Sequence, residues 1–230
     1  MGAVDRMGHL RGDRRRRDRQ RDSGPPLVAP RFVVLEGVDG SGKSTQAALL
    51  AGALAARGIR VVRTREPGGT PVGERVREIL LAGAPGAISL LAEVHLFAAA
   101  RAELVRRVIV PALEDGSWVV SDRFLDSSLA YQGAARGLGI DVVLEVNRAA
   151  VEGCLPDLSI VVDTPLATAT ARRCAAPDRI EAEGEGFLAA VADGYRELAV
   201  RFPDRVRLIP GAGAIAEVHA RIVRAVEPLL

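Results

Sequence analysis

The sequence predicts an α/β protein built on a five-stranded parallel sheet with helices on both faces. Three observations carry that prediction. Strand-like and helix-like segments alternate through residues 31–230, the order expected when a parallel sheet is covered on both sides. The strand candidates are short, nearly unbroken apolar runs, as strands buried on both faces require. The notable polar residues fall just after those runs, at the carboxyl ends where ligands bind in such sheets.

Taken in order, residues 1–30 are set apart by composition. They hold eight arginines against four aspartates, while the rest of the chain is slightly acidic and the net charge is +2. This stretch has no apolar periodicity and ends in Ser23-Gly24-Pro25-Pro26. It is expected to be a disordered Arg-rich tail. A solvated extension or an over-long gene start is preferred to a nucleic-acid-binding arm. The tail also lacks the apolar core of a secretory signal.

The first strand is expected at 32–35. A helix follows, marked by Ala47, Leu49, Leu50, Ala53 and Leu54 at helical spacing and closed by Gly58. A second strand is expected at 59–62, then the turn-rich Arg65-Glu66-Pro67-Gly68-Gly69-Thr70. Helices are expected at about 73–81 and 89–110, and a third strand at 118–120 runs into Ser121-Asp122-Arg123. A helix at about 141–152, a strand at 158–163 and helices at about 165–173 and 187–201 come next. A strand at 206–209 and a helix at about 215–226 complete the domain, 31–230. No internal repeat is visible. No apolar run reaches the about 18 residues needed to span a bilayer, so no membrane is expected. Cys154 and Cys174 lack metal-type spacing and read as free thiols of a cytoplasmic protein.

Between the first strand and its helix lies Gly37-Val38-Asp39-Gly40-Ser41-Gly42-Lys43-Ser44-Thr45. The pattern G-x-x-x-x-G-K-S/T after a strand and before a helix is a phosphate-binding loop. Its glycines turn backbone N–H groups inward, and the helix N-terminus adds positive potential. Lys43 is the only lysine in a chain whose other basic residues are all arginine. A compact ammonium fits a tight ring of amides where a planar guanidinium does not. Lys43 is expected to reach the β and γ phosphates of ATP, and Ser44 to ligate Mg²⁺.

The single lysine also excludes a guanine-reading Asn-Lys-x-Asp motif, and no Leu-Ser-Gly-Gly-Gln signature occurs. Asp39, Arg65, Glu66, Asp122 and Arg123 all fall at expected strand ends. Arginines there suit a second phosphate monoester held beside the first.

Four segments resemble the thymidylate kinase family, in order and with similar spacing. They are Glu36 through Thr45, Thr64-Arg65-Glu66-Pro67-Gly68-Gly69-Thr70, Leu96-Phe97-Ala98-Ala99-Ala100-Arg101, and Asp122-Arg123 through Ala130-Tyr131-Gln132-Gly133. The resemblance covers about residues 31–226. It implies a phosphate-loop nucleotide kinase of the nucleoside monophosphate type with a small mobile lid, here about 171–186, and transfer of the ATP γ-phosphate to dTMP.

It also implies roles for the matching residues. Phe97 would stack on the thymine, Arg101 would contact the base edge or acceptor phosphate, and Arg65 and Arg123 would hold that phosphate. Ser127, Ser128 and Gln132 would meet the base. Tyr131 would pack against the sugar, and Asp39 would accept from the 3′-OH. Asp122 would help hold Mg²⁺ or anchor the arginines. A homodimer is implied as well.

An anionic acceptor needs no general base, so the chemistry reduces to positioning and charge neutralisation. The loop interior, Val-Asp-Gly-Ser, carries no arginine. The arginine at the transferring charge is therefore expected in the lid, from Arg173 or Arg172, with Arg179 favoured. Three alternatives stay open at this point: a kinase for another nucleoside monophosphate, a deoxynucleoside kinase using Glu36 or Asp39 as base, and a non-kinase ATPase.

Overall fold

The computed structural model describes residues 28–172 and 178–230. Strands β1 (Phe32–Glu36), β2 (Val61–Arg65), β3 (Trp118–Asp122), β4 (Leu158–Asp163) and β5 (Val206–Pro210) form one parallel sheet. Their order is β2-β3-β1-β4-β5. The central strand, β1, is buried along its whole length.

Alternation along the strands serves two cores. Val33 and Leu35 of β1, Trp118 and Val120 of β3 and Ile160 of β4 pack with helices α1 (Lys43–Ala56) and α9 (Ile215–Val226) on one face. Phe32, Val34, Val119 and Val161 face the opposite core. That core is supplied by α3 (Leu90–Leu104), α6 (Ile140–Val151) and α8 (Glu185–Arg201), among other segments. The helix α2 (Pro71–Leu81) packs on α3, and α7 (Leu166–Ala171) follows β4.

Two departures from the sequence reading bear on the site. The second strand runs Val61–Arg65 rather than 59–62, because its partner β3 pairs Val61 with Trp118 and Arg65 with Asp122. It is an edge strand and half-exposed, so its outer residues are polar and an apolar-run criterion stops short of them.

The second departure is a helical stretch absent from the sequence reading: α5 (Leu125–Ser128), continued by a π-helical Leu129–Ala135. Nearly all of it is buried, so it lacks an amphipathic stripe. The helix expected to end near 110 also continues, through a π-helical Val105–Ile109 and α4 (Val110–Glu114). Among the described residues no helix is long and apolar enough to cross a membrane.

The chain leaves β1 at the centre of the sheet, with β3 on one side and β4 on the other. That is the switch point of a doubly wound sheet, and the loop between β1 and α1 lies over it.

Candidate active site

The loop Gly37 through Thr45 turns because its glycines permit it. Gly40 has φ +83°, and a Cβ there would run into the Ala169 carbonyl. The Ser41 N–H donates to the Val38 carbonyl at 3.1 Å, and α1 opens at Lys43. Lys43 is 5 % exposed, with its Nζ 2.9 Å from Asp39 Oδ1 and 3.4 Å from the Val38 carbonyl. Gly40, Ser41, Gly42, Ser44 and Thr45 line a cavity of about 520 Å³, which Arg172, Gly211 and Ile215 also line. Gln46 Nε2 donates to the Ile215 carbonyl at 2.9 Å, which ties α1 to the start of α9.

A second cavity, of about 630 Å³, adjoins the first across Asp39, Lys43 and Ser44. Arg65, Glu66, Arg77, Asp122 and Arg123 line it too. Asp39 is the hinge between the two cavities, because Arg123 Nη2 reaches the same Oδ1 at 2.8 Å. Burial alone would raise the Asp39 carboxyl, but Arg123 and Lys43 outweigh it and hold it well below the usual carboxylate range.

Arg123 has φ +71°, a left-handed conformation that costs a residue with a Cβ on the order of 1–3 kcal/mol. Its own N–H donates to the Leu35 carbonyl at 2.9 Å, and its carbonyl accepts from Ser121 Oγ at 2.7 Å. Those bonds fix the turn that aims the guanidinium into the cleft.

Behind Arg123 sits a buried network centred on Glu36. That carboxylate accepts from the Phe124 N–H at 2.9 Å, Ser127 Oγ at 2.6 Å and the Tyr195 hydroxyl at 2.9 Å. The Tyr195 oxygen also lies 3.3 Å from Arg123 Nη1. Burial, helped by the charge of Asp126, pushes Glu36 up to about 7 against the pull of Arg123, Ser127 and the Phe124 N–H.

Beyond Arg123 the cleft narrows into a pocket walled by Phe97, Ser127, Ser128, Tyr131 and Gln132, with Asp178 and Ile180 on the opposite side. The Tyr131 hydroxyl accepts from Arg123 Nη2 at 3.1 Å, and the Arg123 guanidinium lies 5.1 Å from the Tyr131 ring centre. Burial, only partly offset by Arg123, pushes the Tyr131 phenol up. Asp39, Lys43 and Ser44 of the phosphate-binding loop therefore share a cavity with Arg65, Asp122 and Arg123, and Phe97, Ser127, Ser128, Tyr131 and Gln132 continue the same cleft.

Two expected site residues are placed elsewhere. Arg101 is fully buried. Its Nη2 donates to Glu66 Oε2 at 2.7 Å, to Ser128 Oγ at 3.0 Å and to the Phe124 carbonyl at 3.2 Å, and its Nη1 meets Asn147. It braces Glu66 and Ser128, which face the pocket, from behind. Burial pushes Glu66 up to about 7 even so, against the pull of Arg101.

Arg179 is a correction. Expected at the transferring charge, it is 1 % exposed, with Nη2 on Glu93 Oε2 at 2.6 Å and Nε on the Leu80 carbonyl at 2.8 Å. An arginine between buried carboxylate and carbonyl partners has the same sequence appearance as one that meets a phosphate. Arg173 lies outside the described residues, as do Cys174 and nearly all of the expected tail. Arg172 lines the loop-side cavity.

Glu93 and Tyr195 were missed by sequence reasoning. Glu93 precedes Phe97 by one helical turn, and Tyr195 continues the buried Leu188, Val191, Leu198 stripe of α8. Nothing but those periodicities marked them.

Ser44 and Asp122 share the larger cavity, and Asp122 Oδ1 is buried with no hydrogen-bond partner among the described residues. An orphaned carboxylate oxygen on a residue that shares a cavity with the Ser44 hydroxyl and the phosphate loop fits Mg²⁺. That ion takes one or two protein oxygens and completes its shell with substrate phosphate and water.

A phosphate loop joined through one shared carboxylate to an arginine-bearing cavity and an aromatic-walled pocket defines a phosphate-loop kinase of the nucleoside monophosphate type. The thymidylate kinase family profile matches residues 35–222, and the chain belongs to that family. It is 48 % identical over 204 residues to a thymidylate kinase of Rhizorhabdus wittichii, covering 87 % of this chain and 98 % of that one. A thymidylate kinase of Pelotomaculum thermopropionicum is 49 % identical over 203 residues, with 87 % and 94 % covered. The crystal structure of thymidylate kinase from Ehrlichia chaffeensis superposes with a TM-score of 0.72 at 31 % identity, covering 86 % and 99 %.

Proposed function

We infer that this protein transfers the γ-phosphate of ATP to dTMP, giving dTDP and ADP. The observation that carries this reading is the pairing of Lys43 and Arg123 on one carboxylate, Asp39, at 2.9 and 2.8 Å. It sets a cation for each of two phosphate groups side by side. ATP occupies the loop-side cavity, with Lys43 and the loop amides on its β and γ phosphates. Arg65 and Arg123 hold the acceptor phosphate, and Asp39 meets the sugar 3′-OH once its cations turn to phosphate. Phe97, Ser127, Ser128 and Gln132 receive the base, and Tyr131 packs on the sugar.

Ser44 and Asp122 would hold Mg²⁺, which would supply neutralisation of the phosphate charge. The attacking group is already an anion. What the protein supplies is alignment and the cancelling of repulsion between two phosphates. Of the two carboxylates a hydroxyl acceptor could use as base, Glu36 is fully buried and bonded to Phe124, Ser127 and Tyr195, and Asp39 is paired with both Lys43 and Arg123. That favours a phosphate acceptor over a nucleoside. Of the lid arginines, Arg172 and Arg173 are the ones assigned here to the transferring charge.

The same reading includes a cytoplasmic homodimer. Exposed Val72 and Ile79 on α2 and Leu91 on α3 supply an apolar face for it.

The test is ADP formation with ATP and Mg²⁺, offering dTMP, dUMP, AMP, CMP, GMP and thymidine in turn. Turnover with dTMP, weaker turnover with dUMP and none with the others is expected. Turnover with thymidine alone, or ADP release independent of acceptor, would overturn the reading.

A further inference from the structure

Glu93 is 1 % exposed, and nothing in phosphoryl transfer calls for a carboxylate at its position. Its oxygens accept from three side chains on two segments, Gln132 and Arg136 at the end of the π-helical stretch and Arg179 far along the chain. Oε1 takes Gln132 Nε2 at 2.9 Å and Arg136 Nε at 3.0 Å, and Oε2 takes Arg179 Nη2 at 2.6 Å and Arg136 Nη2 at 3.4 Å. Arg136 is held in turn by Glu183 at 2.9 Å and lies over the Phe187 ring at 5.0 Å.

Gln132 lines the narrow end of the acceptor cleft. An amide carries donors on one side and an acceptor on the other, and its partners decide which side faces a ligand. A carboxylate between two guanidiniums accepts and does not donate. It therefore draws the Gln132 amino group to itself and turns the carbonyl oxygen the other way. Gln132 lines the pocket, so the oxygen turned away from Glu93 is the side of the amide left for a ligand.

We propose that Glu93 is a positioning residue for base specificity: it locks Gln132 so that an acceptor, not a donor, meets the base edge. An acceptor there suits a ring N–H, as thymine and uracil carry at position 3, and opposes the lone pair that cytosine carries at the same place. Arg136 and Arg179 keep the carboxylate in register. Arg179, expected at the phosphates, thus acts two residues removed from the base. The inference rests on the acceptor reading above.

The test compares kcat/KM for dTMP, dUMP and dCMP in the full-length wild type, Glu93→Gln, Gln132→Leu and the double variant. Inhibition by dCMP replaces turnover where turnover is too slow to measure. In Glu93→Gln the new amide can donate to Gln132 and let its amino group face the base. The dUMP-to-dCMP preference is then expected to fall about tenfold or more, with KM for ATP unchanged. Gln132→Leu is expected to lose the same preference, and adding Glu93→Gln to it should move the ratio no further.

Equal losses for all three nucleotides in Glu93→Gln would show a purely structural role and overturn the proposal. So would a further fall on the Gln132→Leu background. If Glu93→Gln does not fold, Gln132→Leu decides, because Glu93 there keeps both arginines: an unchanged ratio overturns the proposal and a tenfold fall supports it. A wild type that phosphorylates neither dTMP nor dUMP would contradict the proposed function itself. An active wild type with an unmoved ratio in Glu93→Gln alone would contradict only the role of Glu93.

Discussion

On the proposed donor side of the cleft, the loop lining is contiguous, Asp39 through Thr45, and runs straight into the start of α1. On the acceptor side the lining comes from side chains scattered over β2, α3, β3, α5 and the π-helical turn after it. Most of those are held by a second, buried side chain. Arg123 leans on Tyr195 and Ser127, Ser128 on Arg101, and Gln132 on Glu93. A site made of one contiguous loop tolerates changes in its surroundings but not in its few direct contacts. A site made of braced side chains transmits changes from residues that never touch the ligand.

The largest effect should come from the donor side. Lys43→Ala is expected to lower kcat about 1,000-fold with little change in Tm, and Lys43→Arg to bind ATP poorly and turn over little. Steady-state ADP release and a thermal melt measure both. Full activity in Lys43→Arg would mean that the lone lysine is an accident of composition.

The brace of the acceptor side should show the reverse profile. Arg179→Ala leaves Glu93 short of a buried partner and is expected to cost about 3 kcal/mol of stability, read by urea unfolding. Unchanged stability with a collapsed kcat would restore Arg179 to the transferring phosphate.

A milder probe is Tyr195→Phe. It removes one hydroxyl that touches Glu36, Ser127 and Arg123 at 2.9, 3.0 and 3.3 Å. A loss of about tenfold in kcat/KM for dTMP, with KM for ATP steady, would show that the brace aims Arg123. No change in either constant would remove it from the acceptor site.

The smallest effect is in pH. Glu36 and Glu66 have folded-state pKa values raised to about 7, so the folded protein holds protons that the unfolded chain releases near the ordinary glutamate value of about 4.3. Their contribution to stability is full below that value and is lost as pH rises through about 7. Tm should fall between pH 5 and pH 8, roughly the interval these shifts span, and fall less in Glu36→Gln. Asp39 has the opposite sign but acts only in strong acid. A flat profile in the wild type would contradict the burial argument.

The same contrast explains what could be read from the sequence. The phosphate loop is contiguous and the strands are apolar runs, so both stand out in one dimension. The helical segment from Leu125 to Ala135 does not, because it is buried nearly all round and shows no stripe. Glu93 finds Gln132 39 positions away, and Tyr195 finds Glu36 159 positions away; no local pattern reports such pairs. Arginine is the hardest case. Its fork binds phosphate and carboxylate alike, so Arg123 at the cleft and Arg179 in the core look the same until the sheet and helices bring their partners to them.

The most direct test of the two-sided cleft is calorimetric titration of dTMP and of a non-hydrolysable ATP analogue into Lys43→Ala and Arg123→Ala. If donor and acceptor sides are separate sites joined at Asp39, Lys43→Ala should keep its dTMP affinity within about threefold and lose the ATP analogue, while Arg123→Ala should lose about tenfold or more for dTMP and keep the analogue. Both variants losing both ligands by the same factor would contradict that division.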